Sequence, residues 1–372
     1  MSKKGRVLFV GSFKNQAADG SVGGQMFACR TLINSELKNV VDFILIDTTA
    51  DSVPPPPPYK RIPKALNRLY LLLGNLFKLK ADTAIIFSSS GLSLKEKGLM
   101  VILCKMFKVK VIFAPRDGLI KDEVAKSSFT RLFLKHVVKK ADIVLCQGKA
   151  WQTYYMQFQR SKPDKFKTIR NWIDANKYLE VYKKRTQNGV QDRRPIKLLY
   201  LGWLEPYKGI SDLLGVFERL IRNGDKIEAD IYGSGSLAND INEKVNKLGL
   251  SKVFRLRGWA NEDTKLKALE EADIFVLPSH REGMPNALIE AMASGLPCIS
   301  SEVGGVPDLI SHKANGLIYE PGDQDGLYEN VRYLSNDSEL RKSISINAHQ
   351  FILDSCSVEY AARYFQNMID TI

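Results

Sequence analysis

Short apolar runs alternate with helix-length amphipathic segments along this chain, and the alternation runs through twice. In the first half, residues 7–10, 41–46, 83–87, 109–114, 143–146 and 166–170 read as strands, with helices between them such as 24–35 and 126–139. From Tyr178 to Pro195 the periodicity lapses into a polar, basic stretch that includes Lys183-Lys184-Arg185-Thr186-Gln187, which reads as a linker. The pattern then restarts. Strands are expected at 196–201, 226–232, 253–256, 273–277, 297–301 and 317–319, and helices at 210–222, 264–270, 286–294, 324–334 and 338–351. A strand, a helix and a further strand in this order close a crossover connection, so each half predicts a parallel sheet covered by helices on both faces. At 372 residues the chain exceeds the size at which one core stops growing. The predicted fold class is therefore α/β: two Rossmann-like domains with parallel sheets facing a cleft. The expected boundaries are 1–180 for the first domain, 181–195 for the linker and 196–352 for the second domain. Residues 353–372 are expected to form a final amphipathic helix packing back toward the first domain.

Charge divides along the same boundary. The formal net charge is +13, but residues 1–180 hold 31 Lys+Arg against 14 Asp+Glu, and residues 181–372 hold 23 against 27. A strongly basic half implies an anionic partner. No nucleic-acid module signature is present, so nucleic acid is excluded in favour of an anionic membrane surface or a phosphorylated acceptor. Residues 60–80 support the membrane: Lys60, Arg61, Lys64, Arg68, Lys78 and Lys80 interleave with Leu66, Leu69, Tyr70, Leu72, Leu73, Leu76 and Phe77. A core helix packed on the sheet accounts for the same pattern. The longest apolar run, 69–77, is too short to span a bilayer, and no signal-peptide pattern opens the chain. The expected location is cytoplasmic, with peripheral attachment at the inner membrane face. Five dispersed cysteines without a Cys-x-x-Cys pair indicate neither a disulfide framework nor a zinc site. Pro54 to Pro58 reads as an extended polyproline segment in a loop.

Residues 279–310 concentrate the chemistry. Glu282 and Glu290 are separated by seven residues across a turn that opens into a helix. Pro285 suits the first helical turn. The amides of Asn286, Ala287 and Leu288 would then point at an anion, beside Gly283 and Met284. Glu290 lies about 7.5 Å along the axis from Pro285, where a carboxylate can accept from ribose hydroxyls. Lys208, before Gly209 and a helix, is placed to neutralise a diphosphate. Gly233-Ser234-Gly235 follows a strand and allows close approach of a nucleotide.

Residues 279–310 resemble the signature of the retaining glycosyltransferase family 4, whose Glu-x7-Glu motif Glu282 and Glu290 match. The resemblance covers nearly the whole chain and is strong over 197–352. It implies the GT-B fold, with an acceptor-binding first domain and a nucleotide-sugar-binding second domain. It places Glu282 near the donor sugar and Glu290 on the ribose, with Glu282 and Lys208 as the catalytic pair. Arg257 and Trp259 resemble the base-contacting loop. The family usually has Arg where this chain has Trp203, which removes one expected diphosphate donor. Gly23 and Gly24 resemble its phosphate-approaching glycine pair. Arg116 and Asp117 stand near where many relatives carry an acceptor-contacting His. The implied activity is a retaining, metal-independent hexosyl transfer from a nucleotide diphosphate sugar, UDP-linked in preference to GDP-linked, without a further cofactor. The implied acceptor is a saccharide or lipid-linked saccharide, in the making of O-antigen, capsule or exopolysaccharide. Two alternatives stay open: a catalytically weak or inactive GT-B nucleotide-sugar binder disabled at Trp203, and another GT-B enzyme such as an epimerase.

Overall fold

The computed structural model describes residues 5–14, 24–49, 56–78, 81–187 and 195–372. The chain divides into two compact units, Met1–Trp172 with Val358–Ile372, and Ile173–Ser357.

In the first unit, strands β1 (Gly5–Gly11), β2 (Val41–Asp47), β3 (Thr83–Ser88), β4 (Lys110–Pro115), β5 (Ile143–Cys146) and β6 (Phe166–Thr168) form a parallel sheet in the order β2-β1-β3-β4-β5-β6. The alternation of strand side chains builds two cores. Leu8, Val10, Ile86 and Phe113 face one side, under the helices Pro58–Lys78, Leu92–Met106 and Ser128–Lys140. Val7, Phe9, Phe87 and Ile112 face the other, under Gly24–Asn34 and the last helix, Val358–Thr371. That last helix buries Ala361, Ala362, Phe365 and Met368. The Phe365 ring lies 5.7 Å from Trp172 and 6.3 Å from Phe87, and Trp172 Nε1 donates to Thr31 Oγ1 at 2.9 Å.

In the second unit, β7 (Ile196–Leu201), β8 (Ile227–Tyr232), β9 (Phe254–Gly258), β10 (Ile274–Leu277), β11 (Cys298–Ser301) and β12 (Leu317–Tyr319) give a second parallel sheet in the order β12-β11-β10-β7-β8-β9. The helix Ile210–Arg222 buries Ile210, Leu213, Leu214, Phe217 and Leu220 at helical spacing.

Several local expectations change. Residues 181–187 are not linker but the end of the helix Ala175–Gln187, and 188–194 lie outside the described residues. Its Lys-rich face hides a contact stripe. Tyr178 and Val181 are buried, Tyr182 stacks on His349 with ring centroids 3.6 Å apart, and Arg185 donates to the Leu269 and Glu270 carbonyls at the end of another helix. The boundary between units therefore falls at Trp172, ahead of the expected linker. The helix expected over 126–139 runs Ser128–Lys140, because Ser127 caps it by accepting from the Thr130 amide at 3.2 Å. Pro58 begins a helix rather than ending an extended segment; Pro54 and Pro55 lie outside the described residues. Residues 353–355 finish the helix Ser338–Ser355, and the final helix starts at Val358.

Candidate functional site

The loops that leave β7, β8, β9 and β10 at their carboxyl ends carry the predicted donor residues, the edge where parallel α/β sheets bind ligands. Gly209 makes the first junction. Its φ is +68°, and a Cβ there would stand 1.8 Å from the Pro278 carbonyl oxygen, so only glycine lets the Lys208 turn lie on the end of β10. The His280 amide donates to the Tyr207 carbonyl at 2.9 Å across this junction. Lys208 Nζ consequently reaches Glu282 Oε1 at 2.7 Å, and Ser279 Oγ donates to the same oxygen at 2.7 Å. The pair is largely enclosed, with the Lys208 and Glu282 side chains 16% and 8% exposed. The Gly305 amide donates to the Gly283 carbonyl at 2.7 Å and holds the following loop.

Pro285 has extended backbone and stands at the N-cap of the helix Asn286–Ala293, one position earlier than expected, because φ −76° and ψ 114° keep it outside the helical turn. The Ile289 amide donates to the Pro285 carbonyl, so Asn286, Ala287 and Leu288 form the opening turn. The Leu288 and Met284 side chains are buried, which leaves the backbone as what Leu288 presents. Glu290, on the same short helix, accepts from Lys265 Nζ at 3.1 Å. Lys265 also meets Glu262 at 3.3 Å and donates to the Tyr178 hydroxyl at 3.2 Å. Burial pulls the Lys265 ammonium down, but the Glu290 and Glu262 carboxylates outweigh it and hold it above its ordinary value. Burial, then the Glu290 charge, pushes the Tyr178 phenol well up.

On the other side of β7, a Cβ on Gly233 would stand 1.9 Å from the Gly202 carbonyl oxygen, so the turns after β7 and β8 touch backbone to backbone. Glu205 ties them, accepting from the Ser236 amide at 2.9 Å and hydroxyl at 2.7 Å. The Trp203 ring meets Trp259 with centroids 4.7 Å apart and planes at 39°, and Trp259 is half-exposed. Arg257 pairs with Asp230 at 2.8 Å, an oxygen it shares with Arg255. Burial raises the Asp230 carboxyl, and the two guanidinium groups outweigh that and hold it below its usual range.

Sequence reasoning did not single out Lys265, Tyr178, Ser279 or Arg281. Arg281 stacks over Tyr207 at 5.4 Å, a second cation beside the Lys208 turn. His280 pairs with Asp212 at 2.8 Å.

In the first unit, Arg116 follows β4 and lies between the rings of Phe87 and Trp172, 4.8 and 4.9 Å from their centroids. It donates to Asn171, and burial brings its guanidinium down to about 10. Asp117 accepts from the Ser90 hydroxyl at 2.6 Å and the Leu119 amide at 2.9 Å, so the two neighbours serve different contacts. Gly24 opens a helix; Gly23 lies outside the described residues. Among the described residues no group of three or more His, Cys, Asp or Glu is arranged to hold a metal ion.

Residues 182–351, all within the second unit, match the family model of glycosyl transferases group 1. The uncharacterised glycosyltransferase MJ1607 of Methanocaldococcus jannaschii is 31% identical over 212 residues, 55% of this chain and 54% of that protein. The amylovoran biosynthesis glycosyltransferase AmsK of Erwinia amylovora is 28% identical over 211 residues, 55% of this chain and 49% of that protein. The chain thus spans about half the length of the curated relatives it matches. The crystal structure of Anabaena HepE in complex with UDP-glucose superposes with a TM-score of 0.70 at 18% identity, over 99% of this chain and 100% of that one. The two parallel six-stranded sheets and this likeness make the fold GT-B.

Proposed function

We propose that this chain is a retaining, metal-independent hexosyltransferase of glycosyltransferase family 4. It uses a nucleotide diphosphate sugar, UDP-linked in preference to GDP-linked, and needs no further cofactor. The acceptor is a saccharide or lipid-linked saccharide of a cell-surface polysaccharide, met in the cytoplasm at the inner membrane face. The observation that carries this reading is the pairing of Lys208 with Glu282, on the turn that opens the helix bearing Glu290. The family match over 182–351, the likeness to the amylovoran biosynthesis glycosyltransferase AmsK and the UDP-glucose complex of HepE support it.

In this reading Glu290 accepts from the ribose hydroxyls while Lys265 and Tyr178 hold it. Lys208 and the opening turn of Asn286–Ala293 face the diphosphate, where helix polarity and the ammonium stabilise the charge that grows as the sugar–phosphate bond breaks. Glu282 fixes Lys208 and lies toward the sugar. The acceptor hydroxyl forms the new bond to the anomeric carbon, and its proton passes to the departing diphosphate oxygen, so no protein nucleophile takes part. Trp203, Trp259, Gly233 and Arg257 border the base, and Arg116 and Asp117 with Gly23 and Gly24 serve the acceptor side.

Thermal shift with UDP, GDP, ADP and their hexose conjugates tests the donor. A ligand at 100 times its Kd stabilises by about 2.7 kcal/mol, and the largest shift is expected with a UDP-sugar. Glu290→Gln should weaken that shift and transfer together; a variant keeping full donor affinity and full transfer sinks the assignment. Trp203, set against Trp259 where a cation is expected, favours a second reading, a donor binder with little turnover. A donor shift with no transfer to any saccharide or lipid-linked acceptor would select it.

A further inference from the structure

We propose that the outer face of the helices Pro58–Lys78, Leu92–Met106 and Ser128–Lys140 docks the first unit on an anionic lipid bilayer, lying on it rather than crossing it. The first of these helices has two apolar stripes. Leu69, Leu72 and Leu76 pack into the core beneath it. Tyr59, Ile62, Leu66, Tyr70 and Phe77 form the other, each between 50% and 75% exposed. Their spacing follows the helical repeat over about 27 Å of axis, so they form one row. Single exposed apolar residues are ordinary on a soluble surface; a row of large ones marks a surface that is covered in use.

The row continues onto its neighbours. Leu99 and Met106 on the second helix and Phe129 and Leu132 on the third are also exposed, the latter two at 67% and 69%. The three helices cover the same sheet face and bond side by side. Arg68 pairs with Glu96 at 2.6 Å, Phe77 meets Phe107 at 4.8 Å, and Lys95 lies 6.0 Å from the Phe129 ring centre.

Charge selects the occupant. Pro58–Lys78 and Ser128–Lys140 contain no Asp or Glu, and Glu96, the acid of Leu92–Met106, is enclosed by Arg68 and Lys97. The exposed charges of this layer, Lys60, Lys64, Lys78, Lys95, Arg131, Lys135, Lys139 and Lys140, are all positive. Two copies of the chain would bring like charges together, whereas anionic headgroups meet the lysines while the aromatic and aliphatic row enters the headgroup–acyl boundary. Among the described residues no helix is long and apolar enough to cross a membrane.

This deepens the membrane-face reading above without depending on the transfer chemistry. The full chain is floated with phosphatidylcholine vesicles with and without phosphatidylglycerol, and turnover on a soluble acceptor is measured separately. Flotation is expected only with the anionic vesicles, weakening as salt rises. The combined Tyr59→Ser, Leu66→Ser and Tyr70→Ser variant should lose about tenfold or more of that partitioning, with soluble-acceptor turnover and thermal midpoint unchanged because these exposed side chains lie outside the core. Lys60→Glu with Lys64→Glu should reduce it as well. No flotation, equal flotation with neutral vesicles, or flotation that the triple variant leaves intact overturns the proposal. So does a dimer in vesicle-free solution that the triple variant dissociates.

Discussion

Glu290 does not stand alone on its helix. Lys265 reaches it at 3.1 Å while also holding Glu262 and the Tyr178 hydroxyl, and the Lys265 and Glu290 side chains are only 18% and 14% exposed. A carboxylate with a fixed ammonium on one side keeps its remaining lone pairs oriented for an incoming hydroxyl. Lys265→Met removes the ammonium that orients the enclosed Glu290 carboxylate. Nucleotide Kd should rise about tenfold, equivalent to about 1.4 kcal/mol, by isothermal titration. An unchanged Kd would assign Lys265 to folding alone. Glu282, Glu290 and Lys208 were legible in the sequence because each is placed by backbone spacing around a turn. Lys265 and Tyr178 were not, because they arrive from separate helices and join Glu290 only through packing. Trp203 was legible as a departure from the family pattern, but its contact with Trp259 belongs to the adjacency of the turns after β7 and β9.

At the scale of elements, the same distinction separates periodicity from contact. The strands of both sheets were visible as short continuous apolar runs, because helices cover both sheet faces, and the segments between them by their period of 3.6. The helix Ala175–Gln187 was hidden because its outward lysines dominate the composition while Tyr178, Val181, Tyr182 and Arg185 make its contacts. Pro58–Lys78 and Leu92–Met106 are joined by a charged cluster of a different kind. Glu96 accepts from Arg68 at 2.6 Å and from Lys97 at 2.8 Å. Burial raises the Glu96 carboxyl, but the hydrogen bond from Arg68 and the Lys97 charge outweigh it, so its value falls below 4.5. Because the folded value lies below the unfolded one, the cluster's contribution is complete above about pH 4.5 and disappears as pH falls through the folded value. Glu96→Gln should lower stability at neutral pH by about 3 kcal/mol, since it leaves the enclosed Lys97 without its carboxylate. Denaturant midpoints measured down the acid limb should fall less steeply in the variant than in the parent. Parallel acid limbs would remove Glu96 from the account.

For the whole molecule, the decisive feature is that the first unit is discontinuous in sequence, taking its last helix from the far end of the chain. The apolar face of residues 358–371 is visible in the sequence, and the first domain was its expected destination; the structure seats it in that unit's core. Phe365 and Met368 fill the side of the first sheet where Phe9, Phe87 and Trp172 lie. Losing two such side chains costs about 5–10 kcal/mol, comparable with the whole stability of a domain, about 5–15 kcal/mol. The second unit, Ile173–Ser357, is continuous and keeps every residue assigned to the donor, including Tyr178, Lys208, Lys265, Glu282 and Glu290. A chain ending at Ser357 should therefore lose the first unit's fold while the proposed nucleotide site survives. Calorimetry should show the transition that UDP shifts retained near its original midpoint, and limited proteolysis should degrade residues 1–172 while sparing 173–357. A truncated chain that resists proteolysis throughout would mean that Phe365 and Met368 are dispensable to that core. One that loses its UDP-dependent transition would mean that the donor site does not hold without an intact first unit.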